Sequence, residues 1–279
     1  MGRIHIVTDS TGELTKEEIE RYNIHIVPLT FQFDQETFVD GKDIGPEEFL
    51  EKMANTSKLP KSSQPAVGVF KELFDELGSN GDEVLVITMT GGMSGTVKSA
   101  EAAATMSESK VVVVDSRYIS YALGFQVLEA AKMAEEGKSM EEIIERLDHI
   151  RSNTNLFVVV DTLENLIKGG RIGKGTGLIG SLLNIKPIAS LEGGAYNPVA
   201  KVRSHKQVVK YIFKQFQENT KGKTIKGVGI AHANGLAMGE PLKRMIEESG
   251  YQNVKLGFTS PIISTHTGPG AIGISYYTD

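Results

Sequence analysis

The sequence contains no cysteine. That absence removes disulfides, thiolate metal sites and cysteine nucleophiles together, and it is compatible with a reducing cytoplasm. No apolar run approaches the ~18 residues of a membrane span, and the opening MGRIHIVTDS reads as a strand rather than a signal peptide. Histidine is scarce. The six present (His5, His25, His149, His205, His232 and His266) show no ligand spacing such as H-E-x-x-H, so neither a metal nor another cofactor is expected. Positive charge is not in excess: 30 Lys and Arg face 35 Asp and Glu, a net charge of −5, which disfavours a protein that coats nucleic acid. What is present is 279 residues, 40% of them apolar, with 30 glycines. At ~150 residues per domain that length predicts roughly two domains, and a chain of this size buries roughly three-quarters of its unfolded surface without staples. The reading so far is a soluble, cytoplasmic globular protein.

The first half alternates strand and helix signals. Arg3–Thr8 reads as a strand, Leu14–Tyr22 as a helix with Thr15 as N-cap, Ile24–Leu29 as a strand, and Phe31 to Val39 as an extended stretch. Pro46–Ala54 and Val67–Leu77 read as helices, with Lys61–Pro65 a loop before the second. The apolar runs Glu83–Thr88 and Lys110–Val114 suit buried parallel strands, and a small-residue helix between them runs to Ala104. Ser139–Asn153 is amphipathic, with Ser139 and Glu142 in capping-box spacing. A domain boundary is placed just beyond it, giving an N-terminal α/β domain (1–153) with a mostly parallel sheet and flanking helices, and a C-terminal α/β domain (154–279). In the second part, Asn155–Val160, Leu182–Ser190, Val199–Val202, Thr224–His232 and Val254–Ser260 read as strands, Gln207–Thr220 and Glu240–Ser249 as helices. Their irregular spacing predicts a mixed sheet.

Ligands of parallel α/β sheets bind beyond the carboxyl ends of the strands. The loops expected there are TDSTG (Thr8–Gly12), KSSQP (Lys61–Pro65), TGGMSGT (Thr90–Thr96) and DSR (Asp115–Arg117), joined by STHTGPG (Ser264–Gly270) near the end of the chain. They are rich in hydroxyls and glycine, which supply neutral donors and close backbone approach for an anionic head group. The same residues also populate turns and helix caps everywhere.

Ser94 is the sharpest single candidate, because it lies between an apolar strand and a helix, the place of a nucleophile elbow. The pattern G-x-S-x-G fails at Thr96, so a hydroxyl donor or cap is the preferred role. A serine esterase using Ser94 and His266, with Asp9 or Asp115 as the third member, is the alternative. The run Lys168–Gly177 fails as a P-loop, since Gly173-Lys174 is followed by glycine. Gly175, Gly177 and Gly180 match a dinucleotide fingerprint without a strand directly before it, which leaves a phosphosugar- or nucleotide-binding protein as a third reading. The basic residues Lys201, Arg203, His205 and Lys206 lie further along.

Read in order, these motifs resemble the DegV family of bacterial fatty-acid-binding proteins, which includes the acyl-carrying subunits of fatty-acid kinase. The segments are TDST at Thr8–Thr11, SSQP at Ser62–Pro65, SGT at Ser94–Thr96, DSR at Asp115–Arg117, LENLIKGGRIG at Leu163–Gly173, KVR at Lys201–Arg203 and HTGPGAIG at His266–Gly273. Two small departures are Ser62, where many members carry threonine, and Thr90-Gly91-Gly92, where serines are common. The resemblance covers the whole chain. It implies a non-catalytic carrier with a ligand tunnel between two α/β domains, holding a long-chain fatty acid with its carboxylate at Ser62, Ser63, Ser94, Gly95, His266 and Thr267. It also implies an ATP-dependent fatty-acid kinase subunit as partner, an acyl phosphate as the product carried, and Arg171 and Arg203 as residues that face the partner rather than the lipid. Transient membrane contact is compatible with such a role.

Physical chemistry fits that job. Burying ~14 methylenes at ~0.8 kcal/mol each supplies at most ~11 kcal/mol, from which ordering and association costs are subtracted. The head group then needs satisfied hydrogen bonds rather than a tight clamp, since an unpaired buried carboxylate is costly. Neutral hydroxyls and one histidine serve both a carboxylate and an acyl phosphate.

Overall fold

The computed structural model describes residues 2–56, 58–178 and 185–279. The first part of the chain runs β1 (Ile4–Asp9), α1 (Lys16–Tyr22), β2 (His25–Val27), β3 (Thr30–Phe33), β4 (Glu36–Val39), α2 (Pro46–Ala54), β5 (Lys61–Ser63), α3 (Val67–Gly78), β6 (Glu83–Thr88), α4 (Thr96–Met106), β7 (Lys110–Asp115), α5 (Ser120–Glu135) and α6 (Met140–Ser152). It continues through β8 (Thr154–Val159), α7 (Glu164–Lys168), β9 (Lys186–Ser190), β10 (Asn197–Val202), α8 (His205–Thr220), β11 (Ile225–Ala233), α9 (Leu236–Glu248), β12 (Val254–Phe258), α10 (Pro261–Thr267) and β13 (Ala271–Thr278).

The described residues form three sheets. β2-β1-β6-β7 is fully parallel, β4-β3-β5 is a small antiparallel sheet, and β10-β9-β8-β13-β11-β12 is mixed, with only β11 and β12 parallel. The fold is thus a two-lobed α/β arrangement with a parallel and a mixed sheet. The apolar strands of the parallel sheet are covered on both faces, as βαβ crossovers require. Val7, Val84 and Val86 pack on Phe70 and Phe74 of α3 and Ala100 and Ala103 of α4. On the other face, Ile6, Leu85 and Ile87 share a cluster with Leu123 and Val127 of α5.

α5 is the keystone, with contacts to β1 and β6 on one side and to β8, β11 and β13 on the other. A helix buried all round carries no amphipathic stripe, and Tyr121, Ala122, Leu123, Phe125, Val127 and Leu128 are all buried. The mixed sheet admits it through alternate glycines. A Cβ on Gly229 would stand 2.3 Å from the Tyr121 ring, and one on Gly227 would stand 3.0 Å from the Phe125 ring. Far from α5, a separate cluster of Val208, Ile212, Phe216, Met238, Leu242 and Ile246 covers the outer face with α8 and α9.

Two helix starts follow the sequence closely. Thr15 and Ser139 form capping boxes with Glu18 and Glu142. Besides α5, whose bounds are unassigned from the sequence, three segments differ from expectation. Lys61–Ser63, read as a loop, is β5, with Ser62 opposite Phe31 of β3. Ser264–Thr267, also read as a loop, lies in α10, whose start carries Ser260 as N-cap and Pro261 in the first turn. The third is β13, unassigned from the sequence, which is the central strand of the mixed sheet. Of the strand expected over 182–190, residues 182–184 lie outside the described residues and Lys186–Ser190 is β9. No helix among the described residues is long and apolar enough to cross a membrane.

Candidate functional site

A cavity of about 330 Å3 lies between the two lobes, within the range typical of small-molecule sites. Its walls come from both parts of the chain: Leu29, Met89, Met93 and Ile119 on one side, Val158, Leu166, Leu191 and Tyr196 on the other, with Ile262 and Ile263 of α10. A void of about 20 Å3 deeper inside shares Ile119, Val158, Ile263 and Thr267 with it. Leu29, Met89 and Ile119 follow the carboxyl ends of β2, β6 and β7, where the topology of a parallel sheet opens a crevice.

The polar end is compact. Ser62, Ser63, Ser94, His266 and Thr267 all line this one cavity. The alternation of β5 turns Ser62 inward while Lys61 and Ser63 are exposed, and Ser62 Oγ lies 2.7 Å from His266 Nε2. Ser94 Oγ lies 2.8 Å from Thr96 Oγ1 and accepts the Thr96 N–H at 3.3 Å, the first N–H of α4, whose N-cap is Gly95. Thr267 Oγ1 donates to Ile263 O at 3.1 Å. Gly95 stands behind the lining. The Gln64 amide packs so closely on it that a Cβ would lie 2.0 Å from Gln64 Oε1.

His266 is half-buried, and its pKa falls to about 4, first through desolvation and then through the Arg171 charge. The imidazole is therefore neutral at pH 7. Its Nδ1 has no partner among the described residues, and Gly169 closes against it: a Cβ there would stand 2.3 Å from Nδ1. Arg171 is half-buried in the cavity wall. Its Nε donates to Met93 O at 3.0 Å and its Nη1 to Gly169 O at 2.6 Å. Arg171, expected to face a partner, lines the same cavity as Ser62, Ser94 and His266. Arg203, by contrast, is exposed ahead of α8.

The segment Thr90-Gly91-Gly92 is buttressed by the opposite lobe. Thr90 Oγ1 donates to Gly194 O at 2.9 Å, and a Cβ on Gly92 would stand 2.4 Å from that oxygen. A serine side chain therefore has no room at Gly92.

No Ser-His-Asp triad is assembled by these residues. His266 bonds Ser62 rather than Ser94. The Asp9 carboxylate accepts from Thr11 and from the Met89 N–H, and the Asp115 carboxylate accepts from the Gly91 and Arg117 N–H groups. The glycine-rich run also lacks the strand–turn–helix setting of a dinucleotide fingerprint: it follows α7, Gly173–Leu178 forms a short 3-10 turn, and Gly180 lies outside the described residues. Among the described residues no group of three or more histidine or acidic side chains is placed to hold a metal ion. Sequence reasoning missed Gln64, Met89, Met93 and Tyr196 as lining residues. Gln64 was legible as the neighbour of two candidate serines, whereas Tyr196 lies in a segment with no motif.

Such a fold and site define a class: a two-lobed α/β binding protein with an apolar chamber closed by a small hydroxyl-and-imidazole mouth. The chain belongs to the DegV family, whose description, "Uncharacterised protein, DegV family", matches residues 3–279. A DegV domain-containing protein of Listeria monocytogenes is 44% identical over 281 residues, covering all of both chains. Among solved structures, a fatty-acid-binding DegV family protein from Thermus thermophilus superposes with a TM-score of 0.94 at 31% identity, over 99% of this chain and 100% of that one. DegV, a fatty acid binding protein from Bacillus subtilis, gives 0.90 at 33% over 100% of each. A stearic acid-binding protein from Eubacterium ventriosum gives 0.85 at 26%, over 100% of this chain and 98% of the other.

Proposed function

We propose that this protein binds one long-chain fatty acid, with the tail among Leu29, Ile119, Val158, Leu166 and Ile263 and the carboxylate at Ser62, Ser63, Ser94, Gly95, His266 and Thr267. The observation that carries the reading is the Ser62–His266 pair, 2.7 Å apart at the polar end of an otherwise apolar chamber between the lobes. A hydroxyl and a neutral imidazole can each donate to a carboxylate without a desolvated cation. The lobes are taken as residues 1–153 and 154–279, and the setting as the cytoplasm. The protein is a carrier rather than an enzyme: it presents the carboxylate to an ATP-dependent kinase subunit and carries the acyl phosphate, with Arg203 on the docking surface and Arg171 at the mouth itself.

Native mass spectrometry of protein from a bacterial host tests the first part. The account expects the added mass of a fatty acid, removed by organic extraction and restored by palmitate or oleate. Protein that is ligand-free and refuses both would contradict it. For the second part, Arg203→Ala is expected to leave fatty-acid affinity unchanged while lowering phosphorylation by the kinase, and Arg171→Ala to lower both. Equal loss of lipid binding in Arg203→Ala would put that residue at the wrong surface. A fluorophosphonate probe is expected to leave Ser94 unlabelled; labelling lost in Ser94→Ala would favour the esterase.

A further inference from the structure

The turn after β7 takes no part in the chemistry above. Arg117 sits there at φ 60°, a left-handed conformation uncommon for a non-glycine residue and a conformation that gathers at functional sites. It is pinned by Asp115 Oδ1, which accepts its N–H at 2.7 Å. The Arg117 side chain lines a second cavity of about 560 Å3, larger than the first and bounded by the end of α6, the start of β8, the Glu192–Gly194 turn and one face of α8. Arg151 of α6 lines it too, anchored by Nη1 donating to Asp115 O at 2.7 Å and by an ion pair with Asp148. Burial and then the neighbouring Arg117 push the Arg151 pKa below its ordinary value, so the two guanidinium charges feel one another.

Asp148 pairs with Arg151, and the Asp115 carboxylate, whose oxygens accept the Gly91 and Arg117 N–H groups, lies beside both, so these two acids offset part of the charge. Lys223 adds a third positive charge, and among the described residues Glu192 is the one carboxylate in the lining. The rest of the wall mixes amide and hydroxyl side chains with Leu156, Phe157 and Val199. Tyr211, Gln215 and Asn219, four residues apart on one face of α8, line it with Asn153 and Asn155, and Asn219 Nδ2 donates to Asn155 Oδ1 at 3.1 Å. Such a wall offers hydrogen-bond partners to hydroxyl groups.

We propose that this cavity binds a small phosphate monoester with a hydroxyl-rich body, of the sugar-phosphate class. The phosphate bridges Arg117 and Arg151, and the hydroxyls meet the α8 and β8 amides and Glu192. A dianion between two guanidinium groups relieves their repulsion through charge-assisted hydrogen bonds, and the volume suits a ligand of that size. The site is separate from the fatty-acid cavity and does not depend on it.

Isothermal titration calorimetry of the full chain with glucose 6-phosphate, glucose and inorganic phosphate is the test. Glucose 6-phosphate is expected to saturate one site, more tightly than inorganic phosphate, while glucose gives no saturable heat. Arg117→Gly keeps the left-handed turn and is expected to weaken glucose 6-phosphate binding about tenfold, the loss of one charge-assisted contact. Lys223→Ala, on an exposed turn, is expected to weaken it by about threefold with the melting temperature unchanged. Palmitate binding is expected to be the same in both variants. The proposal is overturned if neither phosphate saturates, if glucose or inorganic phosphate binds as tightly as glucose 6-phosphate, or if both variants bind it as the parent does.

Discussion

Ser62 and His266 stand 204 positions apart and meet at 2.7 Å, so the pair that carries the proposed head-group site exists only when β5 and α10 are both in place. Gly169 is the third member of that contact. Gly169→Ala would drive a methyl to within 2.3 Å of His266 Nδ1 and 2.9 Å of Asn165 O. The ring must then move and lose Ser62. We expect fatty-acid affinity to fall about tenfold, the equivalent of one hydrogen bond to a charged group, with circular dichroism unchanged; an unaltered affinity by calorimetry would show that the His266 position is not critical. The depressed His266 pKa carries a stability consequence. The folded value of about 4 lies below the ordinary 6.5, so the unfolded chain binds more protons between them and stability rises with pH across that window. His266 thus contributes fully above pH ~6.5, and its contribution is lost as pH falls towards 4. Proton NMR should find the ring neutral at pH 6 in ligand-free protein, and palmitate should raise its midpoint through the nearby carboxylate.

α10 and β13 were the least legible elements, and for opposite reasons. Ser264–Gly270 reads as a turn because its threonines and glycines are turn residues; the helical signal lies earlier, in Ser260 and Pro261. β13 (AIGISYYT) is buried on both faces at the centre of a sheet, so it shows no alternation, and its pairing with β8 depends on contacts over a hundred residues away. Its weight in the core is large. Ile274→Ala is expected to cost about 2–5 kcal/mol by the usual large-to-small cavity effect, measurable by urea denaturation; a loss under 1 kcal/mol would mean the strand is peripheral. By contrast β6, β7, α2 and α6 lie close to where the sequence put them, because long apolar runs, proline near a first turn and capping boxes are local signals. Of the site, the hydroxyls and His266 were legible as motifs. Arg171's place in the wall was not, since only the packing of α7 beneath α10 decides which way the following loop faces.

Glu13, from the loop after β1, ties the lobes together beneath α10. It accepts from Thr259 Oγ1 at 2.8 Å and from the Ser260 N–H at 3.3 Å, and desolvation lifts its pKa to about 8. The folded value lies above the ordinary 4.5, so its contribution to stability is complete below that pH and lost as pH rises through 8. Glu13→Gln, which cannot ionise, is expected to flatten the fall in melting temperature between pH 6 and pH 9 relative to the parent; an unchanged profile would assign that fall elsewhere. The same seam contains the Thr90–Gly194 bond, the Lys255–Glu18 ion pair and the two aromatic rings of α5 lying on the glycines of β11. The chamber is the part of this seam left unfilled by side chains. A crystal structure of the protein with palmitate would test that most directly. The account predicts continuous density running inward from a carboxylate held by Ser62 and His266, past Ile119 and Val158; palmitate bound elsewhere, or with its methyl end at His266, would contradict it.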